Sequence, residues 1–312
     1  MLVALGTLLK GKPKPWEYFE VPAILVNAYE IIKKKKLLSE IRRKGGLHKF
    51  LEYDGIIFLD SGGFQAMIRN ISINLSSLTK IYKVAKADYF FSLDYPCISN
   101  ENLKKSMQKT ILNYKKLRGK VKNIIPVVHP PIERALKEYE AYIAHDPKYL
   151  AVGGLVPLMR TTKGISDGRK KVVKIIAEIR NRFRSSIHVM GLGAPTVIPL
   201  LKVLKCDSTD SASWRIKAAH GKIMLPNGGE RHITNKSAKF GVVKLREEEK
   251  RALDKLNCPV LKEYGWEKLE SSFEVRALFN AWIMIYSNKN TQAVNGVFSK
   301  LLDYAAEQVI KG

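Results

Sequence analysis

Acidic residues are scarce in this chain of 312 residues: 29 Asp and Glu stand against 54 Lys and Arg, a formal net charge of +25. A surface that repels itself this strongly favours a polyanionic partner, most simply nucleic acid. The basic residues are spread over Lys33–Lys36, Lys104–Lys122, Arg169–Arg184 and Lys236–Arg251. A charged folded surface is therefore expected, not a basic tail. Compositional bias explains part of the lysine excess but not the shortage of acids. Cysteine is also rare. Cys97, Cys206 and Cys258 are scattered and odd in number, which argues against a disulfide framework and fits a reducing cytoplasm, a host's if the chain is viral. No apolar run approaches the roughly 18 residues of a membrane span. The apolar start, Met1–Lys10, lacks a basic leader and a small-residue cleavage site, so it is read as structure and not as a signal peptide. Gly-x-Gly-x-x-Gly after a first strand and the Walker lysine motif are both missing, which removes the common nucleotide-binding fingerprints. No linker or internal sequence repeat is visible.

What is present is a β-α rhythm. Apolar residues make up 46% of the chain, which excludes disorder. Candidate strands are 23–26, 55–59, 89–93, 123–128, 149–152, 187–190 and 203–206. Helix-like stretches at 31–44, 75–86, 101–118, 132–144, 168–184 and 194–204 alternate with them. Sustained alternation predicts a parallel sheet closed by helices, an α/β (β/α)8 TIM barrel, with a doubly wound open sheet as the alternative. After Ser213 the rhythm breaks. Residues 217–243, rich in Gly, Asn, Lys and His, read as a small insertion of short strands and turns after the seventh strand, and 244–312 as C-terminal helices. The whole is read as a single domain, 1–312.

The most informative stretch is Phe58-Leu-Asp-Ser-Gly-Gly-Phe-Gln-Ala-Met67. An apolar run ends in a carboxylate, Asp60. Two glycines follow that would let something flat approach the backbone, then a ring (Phe64) to stack on it and an amide (Gln65) to bond its edge. Taken alone, a strand ending in an Asx or Ser turn explains this as well. Other candidate strands end in the same manner: Asn27, Asp94, His129, the pair Gly153-Gly154, Gly191-Leu-Gly193, and Asp207 with Asp210. In a (β/α)8 barrel these ends converge on one mouth. Each singly has a dull reading as a helix cap or loop residue; together they predict a pocket holding several carboxylates and an imidazole. Two close carboxylates divide labour, one ionised as nucleophile and one handling protons. Attack on an anomeric carbon followed by resolution with a second acceptor retains configuration. Phe64 and Met190 could sandwich a planar heterocycle or simply pack in the core.

These residues resemble the tRNA-guanine transglycosylase superfamily. Ile24-Leu-Val-Asn-Ala-Tyr29, Gly45-Gly-Leu-His-Lys-Phe50, Leu59-Asp-Ser-Gly-Gly-Phe-Gln65, Leu150-Ala-Val-Gly-Gly-Leu155, Val189-Met-Gly-Leu-Gly-Ala-Pro195 and Asp207-Ser-Thr-Asp210 match that family's blocks in order. The resemblance implies a TIM barrel that swaps guanine for a 7-deazaguanine base through an aspartyl-glycosyl intermediate. It implies Asp210 as nucleophile and Asp60 as general acid/base. Asp94 would take the pyrimidine edge of the base, His129 its carbonyl in place of the family's usual Gln, and Gly154 and Leu155 would offer it backbone groups. Phe64 and Met190 would stack on it, and Asn27 would support the carboxylates. Asp207 stands as a candidate support that orients its neighbour or caps a turn.

The departures carry information too. The family's structural zinc motif survives here only as Cys258, with Asn280 near the place of its His. Zinc needs about four ligands, so no metal is expected, the site being refilled by core packing and 244–312 being its helical remnant. The family's Pro-Thr-Arg after the nucleophile reads Ser211-Ala-Ser-Trp-Arg215 here. These differences resemble the branch acting on DNA, the DpdA-type DNA-guanine transglycosylases of phages and bacteria that insert preQ0-like bases. DNA is then the expected partner, with a tRNA enzyme or a non-catalytic partner subunit as alternatives.

Overall fold

The computed structural model describes residues 1–96, 102–160, 167–226, 228–234, 243–290 and 297–310. Its centre is a parallel barrel built from β1 (Leu2–Gly6), β2 (Ala23–Asn27), β3 (Ile56–Asp60), β4 (Tyr89–Phe91), β5 (Ile124–Ile125), β6 (Val127–Val128), β7 (Tyr149–Val152), β8 (Ser186–Val189) and β9 (Ser208–Ser211). The strand order is β5-β4-β3-β2-β1-β9-β8-β7-β6. Its two ends, β5 and β6, are consecutive in the chain on either side of Pro126, which has no N–H to give to a ladder. Counted as one interrupted strand they join β4 to β7, and the sheet closes as an eight-stranded barrel.

Period-two alternation sorts the side chains. Ala4, Ala23, Phe58, Phe91, Ile125, Val127 and Ala151 fill the barrel interior. Their neighbours one position along, such as Ile24, Val26, Ile57 and Leu59, pack outward under the helices, as Leu150, Val152, Ile187 and Val189 do on the opposite side. The same alternation carries Asn27 and Asp60 to the end of the interior face, where they are register partners.

The expected (β/α)8 barrel is what forms, with two differences in the strands. Leu2–Gly6 is itself the first barrel strand, so the antiparallel hairpin β10 (Lys222–Met224) and β11 (Glu230–His232) follows the eighth. And 203–206 is not a strand: Val203 ends the helix Ile198–Val203, and the strand is the polar run Ser208–Ser211, all of it buried. Hydrophobicity could not reveal a strand whose side chains are Ser, Thr, Asp and Ser. Parts of the expected insertion, at 227 and 235–242, lie outside the described residues, as does Cys97.

At the position compared with the family's zinc ligands, the donor set does not fit a metal. Cys258 is buried and its thiol pKa is pushed up to about 11 by that burial. Asn280, fully buried, spends its amide on the backbone: Oδ1 accepts from Met224 N at 2.7 Å, and Nδ2 donates to Trp214 O at 3.2 Å and Lys222 O at 3.0 Å. Nearby Arg276 donates to the carbonyls of Ala218, Leu269 and Glu270. The refilling expected to be apolar is in part a hydrogen-bonded clasp. It holds the helix Phe273–Lys289 against the hairpin and the helix Ser213–Ala219.

Candidate active site

A cavity of about 1200 Å³ opens at the C-terminal ends of the barrel strands. Asn27, Asp60, Phe64, Gln65, Asp94, His129, Gly154, Met190 and Asp210 all line it. Most of the site expected from the sequence is thus brought together. Two members are not. Leu155 is absent from the lining and its side chain is fully buried in the core. Asp207 sits at the opposite end of β9, where its carboxylate pairs with Arg180 at 3.0 Å and accepts from Ile187 N at 2.8 Å. It fastens the barrel floor and does not support Asp210, because three residues along a strand is roughly 10 Å.

Asp60 ends β3 and is 8% exposed. Asn27 Nδ2 donates to its Oδ2 at 2.7 Å, while Asn27 Oδ1 caps the next helix by accepting from Tyr29 N at 2.8 Å. Burial lifts the Asp60 carboxyl to about 7; the charges of Asp94 and Asp210 push the same way, and the backbone N–H groups of Gly62 and Ser61 oppose them. A carboxyl so placed can both give and take a proton at neutral pH.

The two glycines after Ser61 have a reason other than the flat approach expected. Gly62 has φ +81°, a conformation that disfavours side chains, and a Cβ on Gly63 would lie 2.2 Å from the Asp94 carbonyl oxygen. What approaches the backbone here is the loop after β4. The pair lets the ends of β3 and β4 close on one another.

Asp94 accepts from Ser61 Oγ at 3.4 Å on Oδ1 and meets His129 Nε2 at 2.8 Å on Oδ2. On the other side of the ring, Glu138 Oε2 lies 3.3 Å from Nδ1 and accepts from the His129 backbone N–H at 2.7 Å. Burial alone would lower the imidazole, but Glu138 and Asp94 outweigh it and lift it to about 9. At neutral pH the ring is a cation donating from both nitrogens. The Arg134 Nη2 3.4 Å from Nδ1 is therefore a like-charged neighbour, held by Glu138 Oε1 at 2.9 Å and Tyr95 O at 3.0 Å. Glu138 and Arg134 were not singled out in the sequence. They sit four apart on an amphipathic helix, the spacing of an ordinary surface ion pair, yet both are buried.

Asp210, on β9, receives two donors on a single oxygen: Gly191 N at 2.9 Å and His188 Nε2 at 3.0 Å both meet Oδ1. His188 was also passed over, because a lone histidine inside an apolar strand reads as core. Its signal is the alternation that puts it on the same inward face as Met190.

Residues 1–301 match the family of queuine tRNA-ribosyltransferases. The chain belongs to that family. Among its relatives, the tRNA-guanine(15) transglycosylase of Picrophilus torridus is 30% identical over 223 residues, covering 70% of this chain and 35% of that protein. The tRNA-guanine(15) transglycosylase of Pyrococcus furiosus is 27% identical over 311 residues, covering 95% of this chain and 49% of that protein. Uncharacterized protein 306 of Sulfolobus islandicus rod-shaped virus 1 is 25% identical over 272 residues, covering 85% and 80%. The chain thus spans a third to a half of those two archaeal enzymes but most of the viral protein. Among the described residues no helix is long and apolar enough to cross a membrane, and no group of three or more His, Cys, Asp or Glu could hold a metal ion.

Proposed function

We propose that this chain is a pentosyltransferase that removes guanine from a nucleic acid and installs a 7-deazaguanine base such as a preQ0-like one. The observation that carries the reading is the convergence of Asp60, Asp94 and Asp210 on one cavity in distinct settings. Asp60 is poised near neutrality, Asp94 is locked to an imidazolium, and Asp210 is held by two donors on one oxygen. Attack of Asp210 on C1′ forms an ester-like C1′–O bond as the C1′–N9 bond breaks. The electron pair leaves with guanine, which takes a proton from Asp60. The incoming base then gives its N9 proton to Asp60 and displaces Asp210, so configuration is retained and protons balance.

Base recognition falls to the rest of the lining. Asp94 would accept from the N–H groups of the pyrimidine edge. His129, at the place of the family's usual Gln, spends both ring nitrogens on Asp94 and Glu138, so it would serve the base by orienting Asp94 and not by donating to the carbonyl. Gln65 has an amide oxygen that is buried without a hydrogen-bond partner, an acceptor suited to an exocyclic amine. Gly154 would offer backbone groups, and Phe64, 45% exposed, and Met190 would close on the two faces. On this reading residues 217–243 are an insertion and 244–312 the remnant of the family's metal-binding region, within a single domain.

The archaeal relatives favour tRNA as the nucleic acid. A second reading, DNA, is favoured by the residues after Asp210. Where the family has Pro-Thr-Arg, this chain starts the helix Ser213–Ala219 and buries Trp214, whose Nε1 donates to Gly6 O at 2.9 Å. Arg160, Lys171, Lys174 and Arg215 along the cavity could hold either backbone. In duplex DNA the guanine must first leave the stack. Incubating the protein with labelled 7-deazaguanine and either tRNA or duplex DNA separates the readings: label in tRNA alone removes the DNA reading, and label in neither, under conditions where Asp210→Ala also does nothing, removes the transglycosylase reading.

A further inference from the structure

A row of polar groups runs through the barrel interior beneath Asp210. Tyr149 Oη lies 3.2 Å from Ser208 Oγ, Ser208 Oγ lies 2.9 Å from His188 Nδ1, and His188 Nε2 lies 3.0 Å from Asp210 Oδ1. Ser208 and His188 are fully buried, and the imidazole is flanked by the rings of Phe58 and Phe91 at 5.1 and 4.9 Å. The rest of the interior is apolar or aromatic. Four hydrogen-bonding groups in such a place are costly unless each is satisfied, and here each finds a partner along the row. A carboxylate only accepts, so Nε2 carries a proton toward Asp210. On the far side of the ring Ser208 Oγ meets Nδ1, and Tyr149 Oη meets Ser208 Oγ, so the imidazole is held from below as well.

We propose that His188 is a positioning residue for the nucleophile, with Ser208 fixing the orientation of its ring from below. The inference rests on the reading of Asp210 as the attacking group. Both donors, Gly191 N–H and His188 Nε2–H, meet Oδ1, and Oδ2 takes no hydrogen bond among the described residues while Asp210 lines the cavity. The row therefore decides which oxygen attacks: Oδ2 forms the C1′–O bond, and Oδ1 stays clamped as the charge it shares is consumed. The Thr209 hydroxyl, donating to Val189 O at 2.7 Å, and Gly193 N–H, donating to Asp210 O at 2.9 Å, fix the backbone of the same strand. The side chain's rotation about Cβ–Cγ is left to His188 and Gly191.

The test compares His188→Phe, His188→Gln and Ser208→Ala with the wild type in base exchange, with thermal unfolding of each. His188→Phe keeps the ring volume and removes the donor; kcat should fall about 100-fold, the loss that a misplaced reacting group causes, while KM for the base changes by less than about threefold. His188→Gln restores a donor and should recover at least about tenfold of that loss. Ser208→Ala, which leaves the imidazole in place, should lower kcat by about tenfold with KM unchanged, and serves as the deciding variant if His188→Phe does not fold. Retention of wild-type kcat in His188→Phe or, where that does not fold, in Ser208→Ala overturns the proposal, as does a glutamine variant no better than the phenylalanine one. Asp210→Ala distinguishes the two levels. If it still exchanges bases, the nucleophile reading fails; if it is inactive while His188→Phe is fully active, only the role of His188 fails.

Discussion

Replacing Asp60 by Asn should stabilise the fold while ending its chemistry. Asp60 has an ordinary carboxyl pKa of 3.8 that the folded protein lifts to about 7, through burial first and the charges of Asp94 and Asp210 second. Between those values the folded chain holds a proton that the unfolded chain has released. Stability is therefore undiminished below about pH 4, declines as pH rises through the window, and levels off above about 7. At about 1.4 kcal/mol per tenfold change in proton affinity, the full penalty at pH 8 is on the order of 4 kcal/mol. Asn removes the charge and still offers Asn27 Nδ2 an acceptor, but it weakens the bonds from the backbone N–H groups of Ser61 and Gly62. These losses reduce the expected net gain to about 2 kcal/mol. Denaturant unfolding of both proteins at pH 8 and pH 4.5 measures it. Asp60→Asn should be more stable than the wild type at pH 8, the gap should close toward pH 4.5, and base exchange should vanish at both. A gap that does not change with pH would refute the account, since burial and like charge act only on the ionised form.

Three further outcomes are expected. Glu138→Gln leaves the Arg134 guanidinium and the His129 ring buried without their carboxylate, and should cost about 3–5 kcal/mol in denaturant unfolding; NMR titration should show His129 releasing its proton at lower pH than in the wild type. Asn280→Ala strands Met224 N–H and the carbonyls of Trp214 and Lys222 together, a loss of about 3 kcal/mol by the same assay. Nucleic-acid affinity should fall linearly on a plot of log K against log salt, and Lys171→Gln or Lys174→Gln should each make that slope shallower by about one if both touch phosphate.

The barrel and the rim of its pocket were legible because the signals are local. An apolar run that stops at Asp60, Asp94 or His129 announces a strand end, and strand ends meet at one mouth. What escaped was whatever depends on the third dimension. Ser208–Ser211 is a strand held by partners on both sides, so its polar side chains conceal it. Asp207 and Asp210 look equivalent in the sequence, yet the rise of the strand sends one to the floor and the other to the mouth. His188 reads as filler because its partners are 20 and 22 residues away, and Glu138 reads as solvent-facing because its spacing from Arg134 is that of an exposed helical ion pair.

Gly63 bears on how any collection of variants should be interpreted. Its missing side chain makes room for the Asp94 carbonyl, so an alanine there would shift the β4 loop and with it the residue expected to grip the base. In a screen that scores base exchange, such a change would be indistinguishable from damage to Asp94 itself, although Gly63 has nothing with which to touch a substrate. The most recognisable letters in the chain would then be ranked as chemistry when their contribution is clearance. Pairing each such variant with a measurement of where Asp94 sits would keep the two apart.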